Sequence, residues 1–134
     1  MKTDIKILSS FLAAAVWADG EYDEFEKDLV DDLAEELELP KLAETLDKEI
    51  KATEKMNEDE LANYLEKAAV KVAKGEGDGI LTLCLQLMCA DAYMAQDEMD
   101  NFFAFAEILG VSDEAAQAIL DEFVEEEDAL IIEQ

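Results

Sequence analysis

A chain of 134 residues is long enough for one domain with a real core, and a hydrophobic fraction of 51% argues against intrinsic disorder. Against this stand 36 acids and 10 basic residues, a net charge of −26, so direct binding to nucleic acid or to an anionic membrane surface is not expected, while cations and basic partners are favoured. All ten basic residues are lysine; without arginine or histidine the chain lacks the bidentate phosphate clamp, the commonest general acid/base and the commonest imidazole ligand, and it is expected not to be an enzyme.

The first helix is expected to begin at Thr3 as N-cap, with Ile5, Leu8, Leu12 and Ala15 at helical spacing. Phe11, Val16 and Trp17 widen its apolar arc until the helix reads as central. The run 7–18, ending in small residues, loosely imitates a secretory signal. Asp4 and Lys6 break up the stretch before it, Ser9 and Ser10 interrupt it, and the imitation cleavage point falls inside a repeated motif, so a buried helix is the preferred reading. Asp19-Gly20 stops this helix. Asp23 then caps a second one, Glu26 completing a capping box, with Phe25, Leu29, Leu33 and Leu37 as its buried stripe.

Leu39-Pro40 separates the second helix from a third, with proline at a first helical position and a thin stripe of Leu42, Leu46 and Ile50 that predicts a peripheral element. Asn57 to Glu60 reads as a capping box for a fourth helix facing inward through Leu61, Leu65, Ala68, Ala69 and Val72. Lys67, Lys71 and Lys74 suit the negative end of its dipole. The glycines at 75, 77 and 79 read as a loop, with Asp78 capping a fifth helix of nearly continuous apolar character from Ile80 to Cys89. This loop fails the calcium-loop pattern, because Lys74 stands where the first aspartate ligand belongs. Cys84 and Cys89 point to different faces of that helix and cannot bridge; inert buried thiols suit a reducing, cytoplasmic compartment.

A sixth helix begins at Asp97, with Met99, Phe102, Phe103, Ala106 and Leu109 as its stripe and Gly110 closing it, and a seventh starts at Ser112-Asp113-Glu114. Its expected inward residues are Ala115, Ala118, Ile119 and Phe123, with Val124 at the edge of that face, and the acids of 125–128 are expected to fray its end. The apolar tail that follows either docks back or meets another molecule. No stretch alternates like a half-buried strand or is long enough to span a membrane. The expectation is an all-α, single-domain bundle of about seven helices.

An ungapped shift of 72 positions pairs Ala18 with Ala90, Asp19 with Asp91, Glu26 with Glu98, Asp28 with Asp100, Ala34 with Ala106, Glu35 with Glu107 and Leu37 with Leu109. Val30 falls on Phe102, Leu33 on Phe105 and Leu39 on Val111. Two pseudo-symmetric helical hairpins, over about 4–38 and 79–110, account for the pattern, and their packing is expected to set the first and fifth helices side by side. The second copy carries Ala92, Tyr93 and Ala95 where the first has Gly20, Glu21 and Asp23.

In these motifs, a helix ending in Ala-Asp, acids after it, and a glutamate seven residues past the aspartate, the chain resembles the TerB-like family of tellurite-resistance proteins and of the N-terminal domain of some membrane-anchored DnaJ-type co-chaperones. The resemblance implies a seven-helix bundle and a divalent-cation site. Carried over, it assigns Asp19, Glu21, Asp23, Glu26, Asp91 and Glu98 as metal ligands, with Ca²⁺ or another divalent cation as cofactor. Six carboxylates on converging turns would suit a hard cation better than zinc. The alternative is that Asp19 and Asp23 cap helix ends while Glu21 and Glu26 complement the helix dipole without an ion.

The resulting expectation is a non-catalytic interaction or stress-response module that binds a divalent cation or a basic protein partner. Two readings stand beside it: an acidic nucleic-acid mimic, and a purely structural interaction domain without metal. Hydrolytic chemistry by a carboxylate pair such as Asp19 and Glu26 is the weakest alternative, since no substrate pocket is evident.

Overall fold

Helix α1 (Ile5–Asp19) is buried through nearly its whole length, Leu8, Phe11, Leu12, Ala13, Ala14, Ala15 and Val16 all being inaccessible. A helix apolar on every side has to be surrounded, and the chain folds around this one. The computed structural model describes residues 2–19, 24–89, 93–94, 96–126 and 131–132. Among them run α2 (Glu24–Glu36), α3 (Leu42–Thr53), α4 (Glu58–Ala69), α5 (Gly77–Met88), α6 (Gln96–Leu109) and α7 (Asp113–Glu126), with short bridges β1 (Tyr93–Met94) and β2 (Ile131–Ile132). The protein is an all-α bundle of seven helices, as expected. None of the described helices is long and apolar enough to cross a membrane.

The duplication extends further than the two hairpins. Moved by 72, the starts of α1, α2 and α3 fall at 77, 96 and 114, against observed starts of 77, 96 and 113 for α5, α6 and α7. The unit is three helices, with α4 inserted between the copies. As expected, α1 packs beside α5, and each copy reaches across to the other, α2 onto α5 and α6 onto α1. Both second helices also end in one closure. Leu39 N–H donates to Ala34 O at 2.8 Å and Glu38 N–H to Glu35 O at 3.2 Å; 72 positions on, Val111 N–H donates to Ala106 O at 2.8 Å and Gly110 N–H to Glu107 O at 3.1 Å. This is the Schellman arrangement, which needs a left-handed residue just past the helix. Gly110 provides it at φ +76°, and in the first copy a glutamate, Glu38, is held at φ +57°.

Several sequence expectations are corrected. Thr3 does not cap α1: Asp4 does, its Oδ1 accepting from Lys6 N–H at 2.8 Å. Thr3 is buried and engages the turn before α5, where the Glu76 carboxylate accepts from the backbone N–H groups of Lys2 and Thr3, both at 2.7 Å, and from the Thr3 hydroxyl. Ala73 N–H donates back to Thr3 Oγ1 at 3.0 Å. Asp78 accordingly lies inside the first turn of α5 and Glu76 occupies the cap position. Two of the three expected loop glycines are helical; a Cβ on Gly77 would come within 3.2 Å of the Leu109 carbonyl, so the residue lets α5 start close against the end of α6. Pro40 precedes α3 and is not part of it, since that helix begins at Leu42.

Helix α3 is not peripheral. It is the neighbour that α1 packs against most extensively, and Leu42 and Leu46 are fully buried. Stripe width measures how amphipathic a helix is, not how much of its apolar face meets the core. In α2 the buried face is Glu26, Val30 and Leu33, one residue round from the expected face, and Phe25 is 65% exposed. The capping box at Asn57 is present: Glu60 N–H donates to Asn57 Oδ1 at 2.8 Å, and Asn57 N–H to Glu60 Oε1 at 3.5 Å. The apolar tail docks back on its own chain, Ile131 and Ile132 pairing in parallel with Tyr93 and Met94 beside the second motif.

Candidate functional site

Each repeat puts a glutamate at the third position of its second helix, Glu26 in α2 and Glu98 in α6. Helical spacing sets the first in line with Val30 and Leu33 and the second in line with Phe102 and Phe105, so each carboxylate heads a stripe that faces the core. Burial follows: Glu26 is 1% exposed and Glu98 6%, and the Oε2 atom of each is wholly enclosed. Removing a carboxylate from water is costly unless a proton, a hydrogen-bond donor or a cation compensates it. That a chain with 36 acids turns these two inward, at equivalent positions, is the feature that distinguishes them from the solvated acids on the helix surfaces.

Of the other expected ligands, Asp19 is the last residue of α1. Glu21, Asp23 and Asp91 lie outside the described residues, as does the proposed capping role of Asp23. Among the described residues no three His, Cys, Asp or Glu side chains gather as a metal centre.

A second polar cluster links α1, α3 and α4 and was not foreseen from the sequence. Glu49 is buried in α3, and the Tyr64 hydroxyl of α4 donates to its Oε2 at 2.7 Å. Burial and the Glu49 carboxylate push the Tyr64 phenol up, while Ser10 beside it acts the other way. One turn on, the buried Thr53 hydroxyl donates to Glu49 O at 2.8 Å and accepts from Trp17 Nε1 at 2.8 Å. A signal was available: Leu42, Leu46, Glu49 and Thr53 follow one helical stripe, and a glutamate on an apolar stripe is a buried acid in need of a donor.

Three open cavities flank these clusters. One of about 240 Å³ lies between the end of α1, the α3–α4 turn and α6, walled by Trp17, Glu54, Glu58 and Phe105 among others. A second, of about 250 Å³ between α1 and α4, gathers Lys6, Lys67 and Lys71 around Ser10 and Tyr64. The third, about 330 Å³, is a groove between α2, α5 and α7 bordered by Phe25, Leu29, Cys89 and Phe123. Cys84 is fully enclosed, its Sγ 3.6 Å from Phe11 O, and burial pushes its thiol up to about 12, so it is no nucleophile. No family model, curated protein or solved structure matches the chain.

Proposed function

We propose that this protein is a non-catalytic, TerB-like interaction module of the tellurite-resistance and stress-response type, whose acidic turns take a divalent cation or a basic partner segment. The paired burial of Glu26 and Glu98 carries the reading. Each repeat holds one carboxylate out of bulk water, a setting in which a carboxylate oxygen interacts most strongly with a hard cation. Asp19, Glu21, Asp23 and Asp91 flank them in sequence and would complete the ligand set with Ca²⁺ or a similar ion. A net charge of −26 supplies the long-range attraction for either ligand. Cys84 and Cys89, neither of them in a disulfide, suit a cytoplasmic setting.

The test is thermal unfolding with and without millimolar Ca²⁺, Mg²⁺ or Mn²⁺, in wild type and in Asp19→Asn/Glu26→Gln. Ligand at one hundred times its Kd adds about 2.7 kcal/mol, which moves Tm by roughly 5–11 °C in a domain of this length. General screening of the net charge stabilises both proteins alike. A metal shift present in wild type and lost in the double variant is the expected result; an equal shift in both retires the cation site.

A further inference from the structure

We propose that the cavity walled by Trp17 is the anchor for one cationic side chain, lysine or arginine, of a basic partner segment; this rests on the basic-partner half of the function proposed above. The indole is fixed rather than free. Its Nε1 donates to Thr53 Oγ1 at 2.8 Å, and Thr53 is itself tied to the backbone of α3, yet Trp17 remains 36% exposed. An anchored, accessible tryptophan is the strongest aromatic partner for a cation.

The remaining lining divides into two parts. Ala14, Ala18, Met56 and Leu61 offer apolar surface, and Glu54 and Glu58 bring two exposed carboxylates; no lysine lines the cavity. A side chain with an aliphatic stem and a charged head matches that division. A bare divalent ion does not, because it demands six or more oxygens and gains nothing from apolar walls. The volume of about 240 Å³ admits one such side chain and not a folded element. The cleft at Lys6, Lys67 and Lys71 is the contrast, since three of the ten lysines line it and none is among the residues that line the cavity at Trp17.

Trp17 is the only tryptophan in the chain, so its emission reports on this cavity alone. The experiment titrates the full chain with a six-residue arginine peptide and with its lysine counterpart at physiological salt, where exposed charges beyond about 8 Å are largely screened. Binding is followed by both tryptophan emission and calorimetry. A saturable emission change that tracks the calorimetric isotherm is expected, with affinity falling about fivefold in Glu54→Gln/Glu58→Gln and about two- to fivefold in Trp17→Phe. The charge-matched control on α7, Glu114→Gln/Glu122→Gln, should bind like wild type. Equal weakening in both glutamine pairs, or calorimetric binding with unchanged emission, overturns the cavity proposal and leaves a diffuse basic-partner reading standing. Absence of binding to wild type overturns both. Circular dichroism of each variant establishes that it is folded, and Trp17→Phe provides a second route should the glutamine pair unfold.

Discussion

Replacing Glu38 with glycine should stabilise the protein. Glu38 sits at φ +57° just past α2, at the position where the second repeat has Gly110 at φ +76°. An L-residue in this region bears a steric cost of roughly 1–2 kcal/mol that glycine escapes, and glycine's greater freedom in the unfolded chain takes back about 0.5–1 kcal/mol. The side chain is exposed, so no packing is lost. The substitution also removes a negative charge from the negative end of the α2 dipole, worth about 0.3–1 kcal/mol. Together these give about 1 kcal/mol, or roughly 3–5 °C in Tm by thermal circular dichroism. Glu38→Gln separates the parts: it removes the charge but keeps the strained backbone, and should recover about 1–2 °C. The reciprocal change, Gly110→Ala, should lower Tm by about 2–3 °C through the backbone alone, because an added Cβ there meets nothing within 4 Å. Equal gains from Glu38→Gly and Glu38→Gln, or a neutral Gly110→Ala, would refute the argument from the shared closure.

Tyr64→Phe removes the donor to the buried Glu49 carboxylate and should cost about 1–3 kcal/mol, read by urea unfolding; a neutral result would show that Glu49 is satisfied by other groups. Glu76 is held below the usual glutamate range by the Thr3 hydroxyl first and by the Lys2 and Thr3 backbone donors. Its contribution is therefore complete above the ordinary glutamate value of about 4.3 and fades as pH falls below it through the depressed folded value. Glu76→Gln should accordingly lose stability against wild type at neutral pH, with the difference shrinking in acid; a gap that widens in acid contradicts the clasp. Cys84 should resist a thiol-specific reagent at pH 8 in the native state and react once denatured, because its titration near 12 leaves almost no thiolate. Rapid native labelling at Cys84, located by mass spectrometry, would contradict its burial.

Much of the architecture was legible because it is repeated. The 72-residue shift set the two central helices and the hydrophobic frame, and the Asn57 box marked the start of α4 through purely local chemistry. The rotation of α2 was harder to read. Stripes beginning at Phe25 and at Glu26 both fit a period of 3.6, and hydrophobicity alone chooses the phenylalanine. The duplication held the better clue, since Glu26 and Glu98 match at the head of stripes whose next members, Val30 and Phe102, are both buried. Thr3 and Asp4 are equally plausible caps in sequence; what decides between them is Glu76, more than seventy residues away. The cluster of Trp17, Thr53, Glu49 and Tyr64 escaped for the same reason, because its members meet only when three helices have assembled.

The crossed packing of the two repeats also bears on how the chain comes off the ribosome. Helix α1 is complete by residue 19, but α5, which must lie beside it, does not begin until residue 77. At about 5–20 residues per second, the roughly sixty intervening residues take about 3–12 s to synthesise. During that interval α3 can cover one side of a helix that is apolar on every side, and the flank awaiting α5 stays open. The latch of Thr3 on Glu76 closes at the end of this wait, joining the residues just before α1 to the turn that starts the second repeat. Premature chain termination before α5 should therefore yield a fragment that sticks to chaperones or to itself, however acidic its outer faces.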